Sequence, residues 1–309
     1  MADFDLLVLG DANPDLVLRG DVHPAFGQVE QLVDDALLVV GGSGAIMACG
    51  AARLGLRTAF CGVVGDDAFG RFMLDALSDA GVPTAGIVVS AHRPTGLSVI
   101  LSDGEDRAIL TSTGTIDSLD AGAVDLDLVR TVRHVHVSSY FLQRGLQAGL
   151  PSLFDEAHRA GATTSLDPNW DAGGTWDSGL RDLLPKTDAF LPNAAEALAI
   201  AETDDLTSAA RALAEHAGVV AVKCGREGGL AMLGRETARA AIPPVAPADT
   251  IGAGDTFDAA FVAGRLAGWP LARCLKVAVA CGSLSTRGVG GTATQPTMDE
   301  ALAAVEAMP

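Results

Sequence analysis

The sequence predicts a doubly wound, mostly parallel α/β sheet flanked by helices, with a small antiparallel β lid. Three observations carry this reading. Short, fully apolar runs recur, each bounded by Gly, Asp, Asn or Pro; helical stretches of about 10 to 20 residues lie between them; and two segments break the alternation. With 309 residues, 49% hydrophobic and 19% charged, the chain has the composition of a folded domain with a sizeable core.

In order along the chain, Leu6 to Leu9 is an apolar run entering Gly10-Asp11, the pattern of a strand buried on both faces of a parallel sheet. Runs of the same kind are Thr58 to Val64, Val132 to Val137, Thr163 to Leu166, Ala189 to Leu191 and Val219 to Val222. The intervening helices are read at Ala45 to Leu54, Phe69 to Ala80, Leu150 to Ala160, Ala194 to Ala201 and Ser208 to Ala217. The rhythm breaks at Asp15 to Val40 and at Thr95 to Thr113, the latter reading as two strands around the turn Asp103-Gly104. These segments are expected to pair into a lid, formed from about residues 12–40 and 93–115, over the strand ends where such folds bind ligands. No fixed-period repeat and no Ser-, Pro- or charge-rich linker interrupts the chain, so a single domain over 1–309 is expected.

The formal charge of −18 disfavours sequence-independent binding to nucleic-acid phosphates or to anionic membranes. The five cysteines lie in apolar stretches without a C-x-x-C pair, which predicts reduced, mostly buried thiols. Two aspartates stand in the first five residues where a secretory signal carries Lys or Arg, and no run approaches the ~18 apolar residues of a membrane span. A cytoplasmic enzyme acting on small molecules is the expectation.

The strongest chemical signal is Asp249-Thr250-Ile251-Gly252-Ala253-Gly254-Asp255-Thr256-Phe257, leading into a helical pattern. Two glycines permit tight turns, and successive N–H groups at a helix start make an anion hole at Gly252, Ala253 and Gly254. Asp255 falls in the first turn, where a carboxylate can take a proton from a hydroxyl attacking a phosphoryl group. The plainer reading is an Asp capping a helix after a Gly turn. Asn13-x-Asp15 follows the first strand and suits binding of vicinal hydroxyls, or an Asx turn before Pro14. Gly41-Gly42-Ser43-Gly44-Ala45 precedes a small-residue helix and allows close approach of backbone to ligand. Asn193-x-x-Glu196 opens a helix and either holds a hydrated Mg²⁺ near phosphates or is a capping box. Asp167 before Pro168 either helps to organise the Mg²⁺ water shell or shapes a turn. His134 and His136 share one strand face with no third ligand nearby, which favours a structural role, and Trp170 and Trp176 either line a groove or, the safer reading, pack as core aromatics.

Taken together and in this order, these motifs resemble the ribokinase, or PfkB, family of carbohydrate and nucleoside kinases over essentially the full chain. Gly41 to Ala48 with Gly65 to Gly70 is similar to the family's N-terminal signature, and Asp249 to Phe257 to its C-terminal one. The resemblance implies the ribokinase-like fold and ATP-dependent phosphorylation of a sugar-like hydroxyl. It implies Asp255 as general base, Asn13, Asp15, Gly41, Gly42 and Ser43 at the substrate, and Asn193 and Glu196 organising Mg²⁺ and phosphates, Glu196 through water. Lys223, Gly225 and Gly228 of VKCGREGG would line the ATP site with Gly252 and Gly254. A K⁺ site beside the anion hole is implied at Asp249 and Ile251, completed by Gly290 and Thr297 in the loop Arg287 to Thr297, and relatives imply a homodimer through the lid edge. One departure stands out: Ile46 replaces the Asn that contacts a sugar hydroxyl in the family. The lack of an Arg/Lys cluster near the sugar loops stands against a phosphorylated acceptor, although Arg19, Arg93 and Arg107 in the lid keep one open.

A P-loop NTPase is excluded because no G-x-x-x-x-G-K-[ST] occurs, and a nicotinamide dehydrogenase lacks its G-x-G-x-x-G after the first strand. A nucleoside kinase and a catalytically silent sugar- or nucleotide-binding protein are the alternatives to a sugar kinase. Retention of Asp255 argues against the silent protein, since binding alone needs no base within an anion hole.

Overall fold

Leu6 to Leu9 are fully buried and send alternate side chains into two separate cores. Leu6 and Val8 join one cluster, Leu7 and Leu9 the other. A strand apolar on every residue needs cover on both faces, which explains the helices above and below it. The structure is a computed structural model that describes residues 4–103 and 106–308.

In chain order the strands are β1 (Leu6–Leu9), β2 (Asn13–Arg19), β3 (Asp35–Gly41), β4 (Thr58–Gly65), β5 (Ile87–Ser90), β6 (Leu97–Asp103), β7 (Asp106–Ser112), β8 (His134–Val137), β9 (Thr163–Leu166), β10 (Ala189–Phe190), β11 (Val219–Lys223), β12 (Gly229–Leu233) and β13 (Glu236–Ala240). Nine of them form one sheet in the order β13-β12-β11-β10-β9-β8-β1-β4-β5. It is parallel throughout except where β12 pairs antiparallel with β11 and β13. From β1 the chain moves to β4 on one side, whereas β8 leads to β9 on the other, so the crevice of the sheet opens beyond the C-terminal ends of β1 and β8.

The remaining strands form a four-stranded sheet, β3-β2-β6-β7. Its outer pairs are antiparallel, while the central β2 and β6 run parallel, Asp15 opposite Ser98. The turn read at Asp103-Gly104 reaches outside the described residues. Asp67 explains why Gly65 to Gly70 is a motif: its carboxylate accepts from Gly70 N (2.8 Å) and from Thr95 N (2.8 Å), tying the helix Ala68–Asp79 to the root of β6. A Cβ on Gly70 would lie 2.0 Å from the Gly65 carbonyl oxygen.

The small sheet meets the main body through an apolar cluster of Val17 from β2, Ile100 from β6, Ile46 and Ile251, with Val39, Val40 and Val289 packed on it. Ile46 is thereby 3% exposed and joins the lid strands to the body. Four of the free thiols are buried and Cys224 is partly so. Among the described residues no helix is long and apolar enough to cross a membrane. Trp176 packs on the core as expected, but Trp170 is 58% exposed and meets Trp176 edge-on at 4.9 Å, so it is not a core residue.

Candidate active site

Parallel strands bring their C-terminal ends to one edge, and there the sequence places Asp11 and Asn13 after β1, Ser138 and Ser139 after β8, Asp167 after β9, and Lys223 at the end of β11. Ser139 (φ 55°) and Asn169 (φ 56°) hold left-handed backbone at that edge, a strain associated with functional sites, and Asn169 Nδ2 donates to Ser139 Oγ at 3.0 Å.

The helix Ala253–Leu266 starts above this edge. Its N-cap is Gly252 at φ 70°, which has no side chain to cap with; Ala253 N closes a turn on Thr250 O (3.4 Å), and the amides that follow it have no side-chain cap and are open to a ligand. Gly252 permits no replacement: a Cβ there would sit 2.6 Å from Gly291 Cα and 2.9 Å from Ile46 Cγ2. Asp255 is the third residue of this helix, half-buried. Burial and the repulsion of Asp167 push its carboxyl up to about 8, against the pull of Lys223 and the Ser43 hydroxyl.

Two carboxylates that sequence reasoning gave no role in the site, Asp11 and Asp258, organise its surroundings. The Asp11 carboxylate accepts from Ser43 N (3.2 Å) and Gly44 N (3.0 Å), capping the helix Ser43–Arg53, whose own N-cap is Gly42. Asp258, three residues beyond Asp255 on the same helix face, is 1% exposed and accepts from Lys223 Nζ at 3.0 Å. Lys223 also pairs with Asp167. Burial alone would neutralise Lys223, yet its two carboxylate partners and Glu196 hold its pKa above the ordinary lysine value. Burial would likewise raise Asp167, but the Lys223 ammonium outweighs it and Asp167 stays below the usual carboxylate range, whereas Asp258 is raised, burial again the main cause. The ammonium lies 3.6 Å from where a Gly254 Cβ would stand, directly beneath the anion hole. The signal for Asp258 was present as an acid within the otherwise apolar Phe257 to Gly264.

Asn193 and Glu196 form a complete capping box: Glu196 N donates to Asn193 Oδ1 (2.9 Å) and Asn193 N to Glu196 Oε2 (2.8 Å). The box also belongs to the site, because Asn193 bridges to Lys223 across the sheet and burial with Asp167 nearby pushes Glu196 up to about 7. Gly225 and Gly228 shape the turn after Lys223. A Cβ at Gly228 (φ 85°) would collide with the Ala240 carbonyl, and Gly225 faces open space.

On the lid side, Asn13 and Asp15 are buried at the base of β2. Asn13 Oδ1 has no hydrogen-bond partner, and Gln143, fully buried, has none for either amide atom. Such orphaned groups are costly unless a ligand or water serves them. Burial and the nearby Asp11 push Asp15 up to about 7. Its carboxylate lies on Gly41, where a Cβ would be 2.1 Å from Oδ1. Gly41→Ala must therefore displace Asp15. Steady-state kinetics are expected to show kcat/KM lowered about 10²-fold for the substrate that this shelf holds, the cost of a displacement near 1 Å.

Of the lid arginines, Arg19 pairs with Asp35 and Arg93 with Asp117, while Arg107 crosses from β7 to donate to Thr250 Oγ1 at 2.7 Å. Asp249 joins the two loops proposed to hold a cation: Oδ1 accepts from Ile251 N (3.0 Å) and Oδ2 from Gly290 N (2.9 Å). Thr297 is not brought to them, because its hydroxyl caps the helix Met298–Glu306 in a box with Glu300. The loop is pinned instead by Gln295, whose buried amide donates to Ile46 O (2.9 Å) and Thr256 Oγ1 (3.0 Å).

A cleft with an uncapped helix start, a carboxylate with raised pKa beside it and a polar shelf facing both is built for moving a phosphoryl group onto a small alcohol. Comparison with known proteins agrees: residues 3–298 match the model of the pfkB family of carbohydrate kinases, and the chain belongs to that family. It is a carbohydrate kinase, a phosphotransferase with an alcohol acceptor. It is 31% identical over 297 residues to an ATP-dependent ribose-1-phosphate kinase of Halopiger xanaduensis, covering 95% of both chains. It is 32% identical over 308 residues to a fructokinase of Klebsiella pneumoniae, covering 95% of this chain and 96% of that one. The adenosine kinase structure from Sinorhizobium meliloti superposes with a TM-score of 0.86 at 25% identity, covering 99% of this chain and all of that one.

Proposed function

We propose that the protein transfers the γ-phosphate of ATP to a hydroxyl of a small carbohydrate, with Asp255 as general base. The observation that carries this is the place of Asp255: in the first turn of a helix that starts without a side-chain cap, beside the Ser43 hydroxyl. Asn13 and Gln143 have unsatisfied polar atoms of the kind a polyol serves. The amides of Gly252 to Gly254, with the Lys223 ammonium below them, neutralise charge developing in transfer. ATP is the donor named for the Halopiger relative.

The residues fit the ions. Glu196 and Asn193 stand beside Asp167 where they would organise the waters of Mg²⁺, which would neutralise the donor phosphates. Asp249 with the carbonyls of Ile251 and Gly290 offers the hard oxygen set that suits K⁺, a charge that preorganises the anion hole without touching substrate. The four-stranded sheet acts as the lid, excluding water from the transfer. Exposed Leu38, Ile109 and Leu110 on its strands support a homodimer, and a cytoplasmic setting supplies the nucleotide.

A panel of free sugars, sugar acids, sugar phosphates and nucleosides, assayed for ATP consumption at fixed K⁺ and Mg²⁺, tests the reading. Turnover with a free sugar supports it; turnover confined to nucleosides selects the second reading, which the adenosine kinase likeness favours. Silence across the panel with ATP bound removes it. Because a protonated Asp255 cannot accept a proton, and burial pushes its carboxyl up to about 8 and that of Asp15 up to about 7, kcat/KM is expected to climb between pH 6 and 9 and level off above. A profile flat from pH 6 to 9 would take the base role from Asp255.

A further inference from the structure

Gln295 does more than pin its loop. The loop 287–297 has anchors of its own: Thr294 Oγ1 accepts from Gly288 N (3.0 Å) and donates to Ser285 O (2.7 Å), and Gly290 N reaches Asp249. The Gln295 side chain, on a residue 4% exposed, lies instead between the helices Ser43–Arg53 and Ala253–Leu266. Ile46 O can only accept, so the atom 2.9 Å from it is the amide nitrogen, whose second hydrogen goes to Thr256 Oγ1 at 3.0 Å. One NH₂ group thereby uses both donors on acceptors from two different helices. The Gln295 backbone oxygen also accepts from Arg53 Nε (3.1 Å), so this residue grips the helix Ser43–Arg53 at two points. Gly50 leaves it the space: a Cβ there would lie 2.8 Å from Gln295 Nε2.

The seam between the two helices is lined by small residues. A Cβ on Gly50 would be 3.4 Å from Ala259 Cβ, and a Cβ on Gly252 would be 2.9 Å from Ile46 Cγ2. Glycine and alanine offer shallow ridges, so helices in contact through them slide at little cost unless directional bonds fix them. At its cleft end the seam carries the site. Ser43 and Gly44 start one helix, Gly252 to Asp255 start the other, and Thr256 follows Asp255 directly.

We propose that Gln295 is a positioning residue for phosphoryl transfer: its carboxamide locks the helix Ser43–Arg53 onto the helix Ala253–Leu266, holds Ile46 against Gly252, and so fixes the Ser43 end relative to Asp255 and the anion hole. The catalytic half of this statement rests on the proposed kinase site; the lock between the helices does not.

The lock is read first without turnover, in the ligand-free protein. Nuclear Overhauser contacts from the Ile46 γ2 methyl to Gly252 Hα and from the Ala259 methyl to Gly50 Hα are expected in the parent. They should weaken in Gln295→Met, which keeps the length of the side chain and removes both donors. Thr294→Val, which loosens the loop alone, should leave them. Unchanged contacts in Gln295→Met, or equal weakening by Thr294→Val, overturn the lock. Kinetics follow, with the acceptor that turns over best. Gln295→Met and Thr256→Val are each expected to lose about 10- to 100-fold in kcat, a displacement near 1 Å being worth about 10²-fold, with the ATP Kd within about threefold. Thr256→Ser keeps the accepting hydroxyl and should stay within about threefold of the parent, and the double variant of Gln295→Met with Thr256→Val should lose no more than the worse single one. Losses that multiply in the double variant, or a Thr256→Ser as slow as Thr256→Val, would reduce both residues to packing and overturn the positioning role. Should Gln295→Met fail to fold, Thr256→Val must show both the weakened contacts and the kcat loss, or the proposal falls. Turnover that survived Asp255→Asn would remove the base reading and leave the Overhauser result standing.

Discussion

Asp255→Asn is expected to lower kcat by about 10²- to 10⁴-fold, the share of general-base catalysis, while leaving the ATP Kd nearly unchanged. The amide keeps the shape of the first turn, so the anion hole stays formed; only the proton acceptor is lost. The same variant has an independent thermodynamic signature. A carboxyl raised from 3.8 to about 8 on folding contributes stability that is fully present below its unfolded pKa and is lost as pH rises to its folded one. Asn does not titrate. The variant should therefore match the parent near pH 4 and exceed it in Tm at pH 8 to 9, by thermal melts of the ligand-free protein. Full activity in the variant would show that Asp255 is not the base, and a parent-like slope of stability with pH would show that its carboxyl is not raised by burial.

That signature explains why the site was partly legible in the sequence and partly not. The strands β1, β4, β8, β9, β10 and β11 were visible because burial on both faces demands unbroken apolar runs, and the Gly, Asp or Asn that closes each run is also what forms the cleft edge. Strands β12 and β13 are not legible in the same way, because they lie antiparallel at the sheet's margin and the outer one, ETARA, alternates polar with small residues instead of forming an apolar run. The Asp249 to Asp255 loop was legible because its glycines have conformational reasons, Gly252 at φ 70° above all. Thr297 illustrates the opposite case. A hydroxyl near a cation loop and a hydroxyl at a helix start look alike in sequence, and only Glu300 three residues on marks the cap. Ile46 was legible as a departure but not in its consequence. Its side chain packs against Gly252, Gly291 and the lid's Val17 and Ile100, a set that no local spacing connects. Likewise Asp11 acts on Ser43 and Gly44, more than thirty residues away, and a single sequence offers no sign of that distance being closed.

Lys223→Met carries the largest expected effect on stability. Lys223, Asp167 and Asp258 are buried together, and removing the one cation strands negative charge in the interior, at about 3–5 kcal/mol for breaking a buried pair. Chemical denaturation should register a loss of that size. The direction of each shift says which carboxylate suffers. Asp167 is held below the usual range, so it carries the charge; Asp258 is raised, and it also stands as a hydrogen-bond partner that lowers Asp167. The two shifts run in opposite directions, so of the two carboxylates Asp167 is the stronger counter-charge to the Lys223 ammonium and Asp258 keeps its proton to higher pH. Adding Asp167→Asn to Lys223→Met should restore much of the lost stability, whereas adding Asp258→Asn should restore less, because burial already drives Asp258 toward its neutral form. Equal rescue by the two would mean that both carboxylates are ionised, and a loss under about 1 kcal/mol from Lys223→Met alone would mean that neither is. The same asymmetry bears on catalysis: one ammonium set against one ionised carboxylate is neutral overall, whereas two ionised carboxylates would leave a net negative charge close to Gly254 that opposes the transferring phosphoryl group.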